Sequence, residues 1–308
     1  MDSPLLARPG AVPADPPDAG VAAHYGDPFR EQRRLEAGQA VVDLSHRPVV
    51  RIAGPDRLTW LHSLTSQALA DLPPGRPTET LVLSPQGHVE HSLQLVDDGE
   101  AVLAHVEPGT QDALLAWLDR MRFLLRVELA DVSDQWAVLG TAHGWRLVQR
   151  EALADLPDEL AGVLAHEARR VAAQRPRLGI DTDARTIPNE TRWLRTAVHL
   201  TKGCYRGQET VARVDNLGRP PRRLALLHLD GSDSELPATG GPLLLGGRDV
   251  GRVGTVARHH ELGPIALALV KRQVPDDVDL LAGSVPARLE PEEAAAPQRR
   301  VRPQLMRF

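Results

Sequence analysis

The sequence predicts an α+β fold with more than one core. Three observations lead there. Short β-rich runs alternate with short amphipathic helices between residues 48 and 131. Glycine-punctuated apolar runs follow residue 222, the pattern of a small antiparallel barrel. The chain has 308 residues, 42% of them apolar, enough for two or three buried units.

The elements follow in order. Residues 1–24 are rich in proline and aperiodic, which predicts a flexible tail. Residues 28–37 predict a helix stopped by Gly38. Residues 49–53 predict a strand. Gly54, Pro55 and Asp56 then open a helix with Leu58, Leu61, Leu64 and Leu69 near helical spacing. Residues 80–83 and 89–96 predict strands joined by the turn Ser84-Pro85-Gln86-Gly87. A strand at 101–106 follows, then a helix at 112–121 with Leu114, Leu115 and Leu118 inward, then a strand at 124–129. This order describes a split β-α-β unit with one additional strand, over about 48–131. Residues 136–148 predict two more strands, followed by helical material to about Ala173. Residues 175–221 are the least regular and most polar part, the type of segment that carries function on a scaffold. A first unit at 25–221, a barrel at 222–288 and a second tail at 289–308 complete the division.

Composition removes several classes of function. The single cysteine, Cys204, excludes an internal disulfide framework and any multi-cysteine metal or cluster site within one chain. A net charge of −5 argues against a nucleic-acid-coating surface. No apolar run is long enough to span a membrane, and no basic segment leads an apolar core at the start. A cytoplasmic protein with neither nucleic-acid nor membrane partners is expected. His259-His260-Glu261 invites a metal reading, but adjacent side chains are expected to diverge into a solvated loop. His88-Val89-Glu90-His91 fits strand alternation, so no metal is expected there either.

The scarce reactive residues converge. Only two lysines occur, Lys202 and Lys271, and only two tyrosines, Tyr25 and Tyr205. Lys202, Cys204 and Tyr205 stand together in Lys202-Gly203-Cys204-Tyr205-Arg206-Gly207-Gln208-Glu209. The two glycines permit a tight turn and close backbone approach. The residues after Gly207 can begin a helix, with Glu209 in its first turn. Cys204 would then sit just outside a helix N-terminus beside Lys202 and Arg206. Both influences favour thiolate and lower a cysteine pKa from roughly 8.5. A structural cysteine buried in a tight turn is the competing reading.

This octapeptide resembles the K-G-C-Y-x-G-Q-E signature of the YgfZ-type folate-binding proteins, relatives of the glycine-cleavage T-protein, GcvT. Arg177-Leu178-Gly179-Ile180, Ile187-Pro188-Asn189-Glu190 and the stretch 216–224 resemble flanking family segments. Gly54-Pro55-Asp56 with Trp60-Leu61 resembles an early one, so the likeness spans about 25–288. The resemblance implies a GcvT-like fold, with a folate-binding region interwoven with a ferredoxin-like domain and followed by a β-barrel. It implies a tetrahydrofolate-type ligand and support of iron–sulfur protein assembly or repair, with the motif cysteine as key residue. Cys204, Lys202 and Tyr205 are then the reactive centre. Gly203, Gly207, Gln208, Glu209, Glu190, Trp193 and Arg177 are the candidate ligand-binding residues, with Tyr205 and Trp193 as stacking rings.

The chain departs from the T-protein in two places. Gly87-His88-Val89-Glu90-His91 lacks the expected aspartate. Arg177 replaces the glutamate that reads the pterin, and an arginine cannot accept from the pterin's N–H edge. Its fork suits the ligand's carboxylates instead. Two alternatives stay open: a folate-dependent aminomethyltransferase, and a non-enzymatic binding module with a structural cysteine.

Overall fold

The computed structural model describes residues 2–157, 159–232 and 235–291. The N-terminal segment departs from the expected flexible tail. Ser3 accepts from the Leu5 amide and opens a short 3-10 turn, Pro4–Ala7. Strands β1 (Val12–Pro13) and β2 (Ala22–His24) then pair antiparallel. Leu5 is buried with Leu139 and Leu153, and Val21 with Val42 and Val138. A few isolated apolar anchors hold this segment, so it shows no periodicity in the sequence.

Asp27 caps α1 (Pro28–Glu36) by accepting from the Phe29 and Arg30 amides, with proline at the first position. Strands β3 (Val41–Asp43) and β4 (Val49–Ala53) lead to α2 (Arg57–Leu64). Leu69 lies beyond that helix but joins the same core. Next come β5 (Thr78–Leu83), β6 (Val89–Asp97), β7 (Ala101–His105), α3 (Gln111–Arg122) and β8 (Glu128–Asp131). β8 starts four residues later than its apolar run predicts. Phe123 takes φ +50° and Leu124 is 99% exposed, so the run Phe123-Leu124-Leu125 is a loop.

Strands β9 (Trp136–Thr141), β10 (Gly144–Gln149) and β11 (Leu160–Ala161) precede α4 (Val163–Ala172). The irregular stretch holds only α5 (Trp193–Thr196) and α6 (Gln208–Leu217) as α-helices. Six strands follow: β12 (Arg222–Leu229), β13 (Pro242–Leu245), β14 (Arg248–His259), β15 (Gly263–Lys271), β16 (Leu280–Ala282) and β17 (Val285–Leu289).

Besides the β1–β2 pair, three sheets organise these elements among the described residues. β5-β6-β7-β4-β8 form an antiparallel sheet whose one face packs on α2 and α3 through Ile52, Leu93, Val102, Trp60 and Leu114. β10-β9-β3-β11 form a second sheet, parallel only at β3–β11. β12-β15-β14-β13-β16-β17 close into a barrel with its own core around Leu227, Val253 and Ala268. The expected second tail is ordered at its first residue, where Leu289 ends β17; beyond residue 291 it lies outside the described residues.

Candidate functional site

The octapeptide loop is seated on the β5–β6 hairpin through glycine. Gly207 takes φ +81°, and a Cβ there would stand 2.5 Å from the Ser84 carbonyl oxygen and 2.9 Å from the Gly87 Cα. Gly87 takes φ +82°, and its Cβ would stand 2.8 Å from the Thr210 Cβ. Both positions therefore need glycine for conformation and for space. The Ser84 hydroxyl accepts from the Gln86 and His88 amides and fixes the turn. Gly203 differs: it has open space around its missing Cβ.

Lys202 points inward, away from the role expected for it. Its ammonium donates to the carbonyls of His62, in the last turn of α2, and of Thr65 (2.5 Å) and Gln67 (3.0 Å), just past it. All three donors of an ammonium are thereby used. Burial pulls Lys202 down to about 8. The three carbonyls oppose this, because only the protonated amine can donate to all of them. Lys202 is a clamp between this loop and α2. Arg206, the other cation expected beside the thiol, pairs with Glu90 at 3.0 Å and lies 6.0 Å over the Trp117 ring. Gln208 reaches back to the Lys202 carbonyl at 3.4 Å.

Cys204 is exposed, three residues before the helix cap at Gly207. That removes the buried structural cysteine as a reading. Tyr205 and Trp193 are not open stacking platforms. Both lie in a core with Leu81, Leu83 and Val211, and Trp193 is only 1% exposed. The Tyr205 ring instead receives the Lys202 ammonium at 5.1 Å. Glu209 is exposed and pairs with Arg213 one helical turn on.

Glu190 and Arg177 are both engaged in structural pairs. Glu190 accepts from the Ile187 amide and from Arg222, which ties the irregular segment to β12. Arg177 is 3% exposed and meets Asp18 at 2.8 Å, Glu107 at 2.9 Å and Glu167 at 3.4 Å. Arg170 bonds Glu167 and Asp181 beside it. Ringed by carboxylates, Arg177 is not available for a ligand's carboxylate. Burial works against the Asp18 carboxylate, but His46 and Arg177 hold it well below its ordinary range. Asp18 comes from the supposed tail, where no motif or periodicity points to this network.

A polar row on the sheet escaped the sequence reading. Glu79 stands opposite Gln94, and Gln94 opposite His105, on the face turned away from α2 and α3. Glu79 accepts from Gln94 (2.6 Å), Trp193 Nε1 (2.9 Å) and Thr196 (2.6 Å). Burial pushes its pKa up, opposed by the Thr196 and Trp193 donors. The Trp145 indole donates to Gln94 at 3.3 Å and meets the His105 ring edge-on at 4.6 Å. Both His105 ring nitrogens are buried without a hydrogen-bond partner. Burial, then Arg47 and His166, keep that ring neutral. Alternating polar residues on β6 were the available signal, but they read equally as a solvated face.

His259 and His260 do not diverge. Their rings stack at 4.7 Å, and both Nε2 atoms face Glu36, at 3.6 and 2.7 Å. His259 Nδ1 accepts the Glu261 and Leu262 amides, which leaves the proton on Nε2 and that nitrogen unsuited to a metal.

Comparison with known proteins agrees with this architecture. The model of the GCVT N-terminal domain matches residues 26–142. The tRNA-modifying protein YgfZ of Pectobacterium carotovorum is 24% identical over 76% of this chain and 84% of its own. An aminomethyltransferase of Chromobacterium violaceum is 28% identical over 32% of this chain and 28% of its own. The crystal structure of aminomethyltransferase T from Bartonella henselae superposes with a TM-score of 0.77 at 16% identity, covering 92% of this chain and 94% of that one. The fold is that of the GcvT aminomethyltransferases, and residues 26–142 match that family's N-terminal domain.

Proposed function

We propose that this protein binds a reduced folate against the Glu79–Gln94–His105 row and supports iron–sulfur proteins, or their assembly machinery, through the Cys204 thiol, in the cytoplasm. The observation that carries the folate reading is the unpartnered His105 ring against an indole, in one row with Gln94 and a half-buried carboxylate. A pterin has an N–H edge that a carboxylate accepts and a flat face that an indole covers. These residues fit such a group. Bound folate supplies a carrier for one-carbon units. The chain's own part is to hold it and to present an exposed thiol.

Aminomethyl transfer has less support. The stretch Gly87–His91 has only Glu90 as an acid, and that carboxylate is exposed and paired with Arg206. No helix among the described residues is long and apolar enough to cross a membrane. Two experiments test the proposal. Calorimetry with 5-formyltetrahydrofolate should show saturable binding, and its absence would remove the ligand. Complementation of a strain lacking its own copy should fail with Cys204→Ala, and full rescue would remove the thiol's role.

A further inference from the structure

A cavity apart from the octapeptide loop and the polar row has a volume of about 420 Å³. Its wall combines Ser45, His46, Gln111, Asp131, Asp134 and Arg150. These come from the β3–β4 connection, the start of α3, the β8–β9 turn and the end of β10. Four of their polar atoms are buried with no hydrogen-bond partner: Ser45 Oγ, His46 Nδ1, Gln111 Oε1 and Arg150 Nη1. Buried polar atoms are normally paired, so four orphans on one cavity wall need an explanation.

Arg150 is the cation of this wall. Its Nε donates to the Ser133 carbonyl and its Nη2 to the Ser45 carbonyl, both at 2.6 Å. Among the described residues its guanidinium makes no ion pair. Burial pulls it down, with Asp43 and Asp134 opposing. A half-buried cation with a free Nη1 edge favours an anionic oxygen. Ser45 Oγ, on a residue 3% exposed, is a second donor for it.

The rest of the wall has the opposite preference. His46 Nε2 faces the Asp18 carboxylate at 2.9 Å, which fixes the ring on the wall. Gln111 Oε1 is an acceptor, and Asp131 and Asp134 are carboxylates. An anion alone would face those two carboxylates, and a cation alone would face Arg150. A molecule with both a carboxylate and an ammonium satisfies the two halves together. We propose that this cavity binds a small α-amino acid as its zwitterion, carboxylate toward Arg150 and Ser45, ammonium toward Gln111 and the aspartates. The volume is in the range of small-molecule sites.

Saturation-transfer NMR on the full chain tests this, with the proteinogenic amino acids, acetate, methylammonium and inorganic phosphate as separate probes at millimolar concentration. At least one amino acid should bind, more tightly than acetate, methylammonium or phosphate. Ser45→Ala removes only an unpartnered hydroxyl, so the fold should persist while affinity falls about tenfold. Gln111→Leu should weaken binding by a similar factor. No amino acid binding would mean that water alone fills the cavity, and would overturn the proposal. So would acetate or phosphate binding as tightly as the best amino acid, or affinity unchanged in both variants.

Discussion

The Lys202 ammonium lies 2.5 Å from the Thr65 carbonyl oxygen and fastens the octapeptide loop to the end of α2. An inward clamp has a different consequence from a cation beside a thiol. Arginine cannot converge its planar fork on three carbonyls packed around one point. Lys202→Met should cost about 2–3 kcal/mol by denaturant unfolding, and Lys202→Arg should recover only part of it. If Lys202→Arg matches wild type in stability, the three-carbonyl clamp is wrong.

The two glycines of the octapeptide should respond differently. Gly207→Ala forces a Cβ against the Ser84 carbonyl at positive φ, and should cost more than about 1 kcal/mol. Gly203→Ala meets open space and should unfold within about 0.5 kcal/mol of wild type. Parallel urea titrations read both.

The network around Arg177 predicts an acid limb. Glu167 is held at about 2 against an ordinary 4.5: burial would raise it, but Arg170 and Arg177 outweigh burial. A depressed folded pKa means that the unfolded chain binds more protons between those values. Stability from this group is therefore present above pH 4.5 and lost as pH falls toward 2. Thermal unfolding across that window should fall steeply in wild type and less steeply in Glu167→Gln.

Asp18 makes the N-terminal segment part of the fold. Asp18→Asn removes a charge partner from Arg177 and His46. It should destabilise by about 3 kcal/mol, the scale for breaking a buried pair. A solvated tail would predict no change in the unfolding midpoint.

The legibility of this chain follows its periodicity. The β5–β6 hairpin, α3 and the barrel strands have alternating or helical apolar patterns, and they stand near their expected positions. The loop Phe123-Leu124-Leu125 looked like the start of a strand because hydrophobicity alone does not report exposure. The octapeptide located the glycine-seated loop and the exposed thiol. It did not reveal that Lys202 turns inward, because side-chain direction depends on carbonyls more than 130 residues away in sequence. Asp18, Glu79 and His105 were illegible for the same reason. Each has surroundings drawn from segments apart in sequence, and none lies in a motif.

Titration of the folded protein with 5-formyltetrahydrofolate, in wild type and in Glu79→Gln, tests the central claim most directly. A folate held at the polar row requires saturable binding in wild type, weakened about tenfold in Glu79→Gln and preserved in Cys204→Ala. Absence of binding to wild type, or equal affinity in wild type and Glu79→Gln, would contradict it.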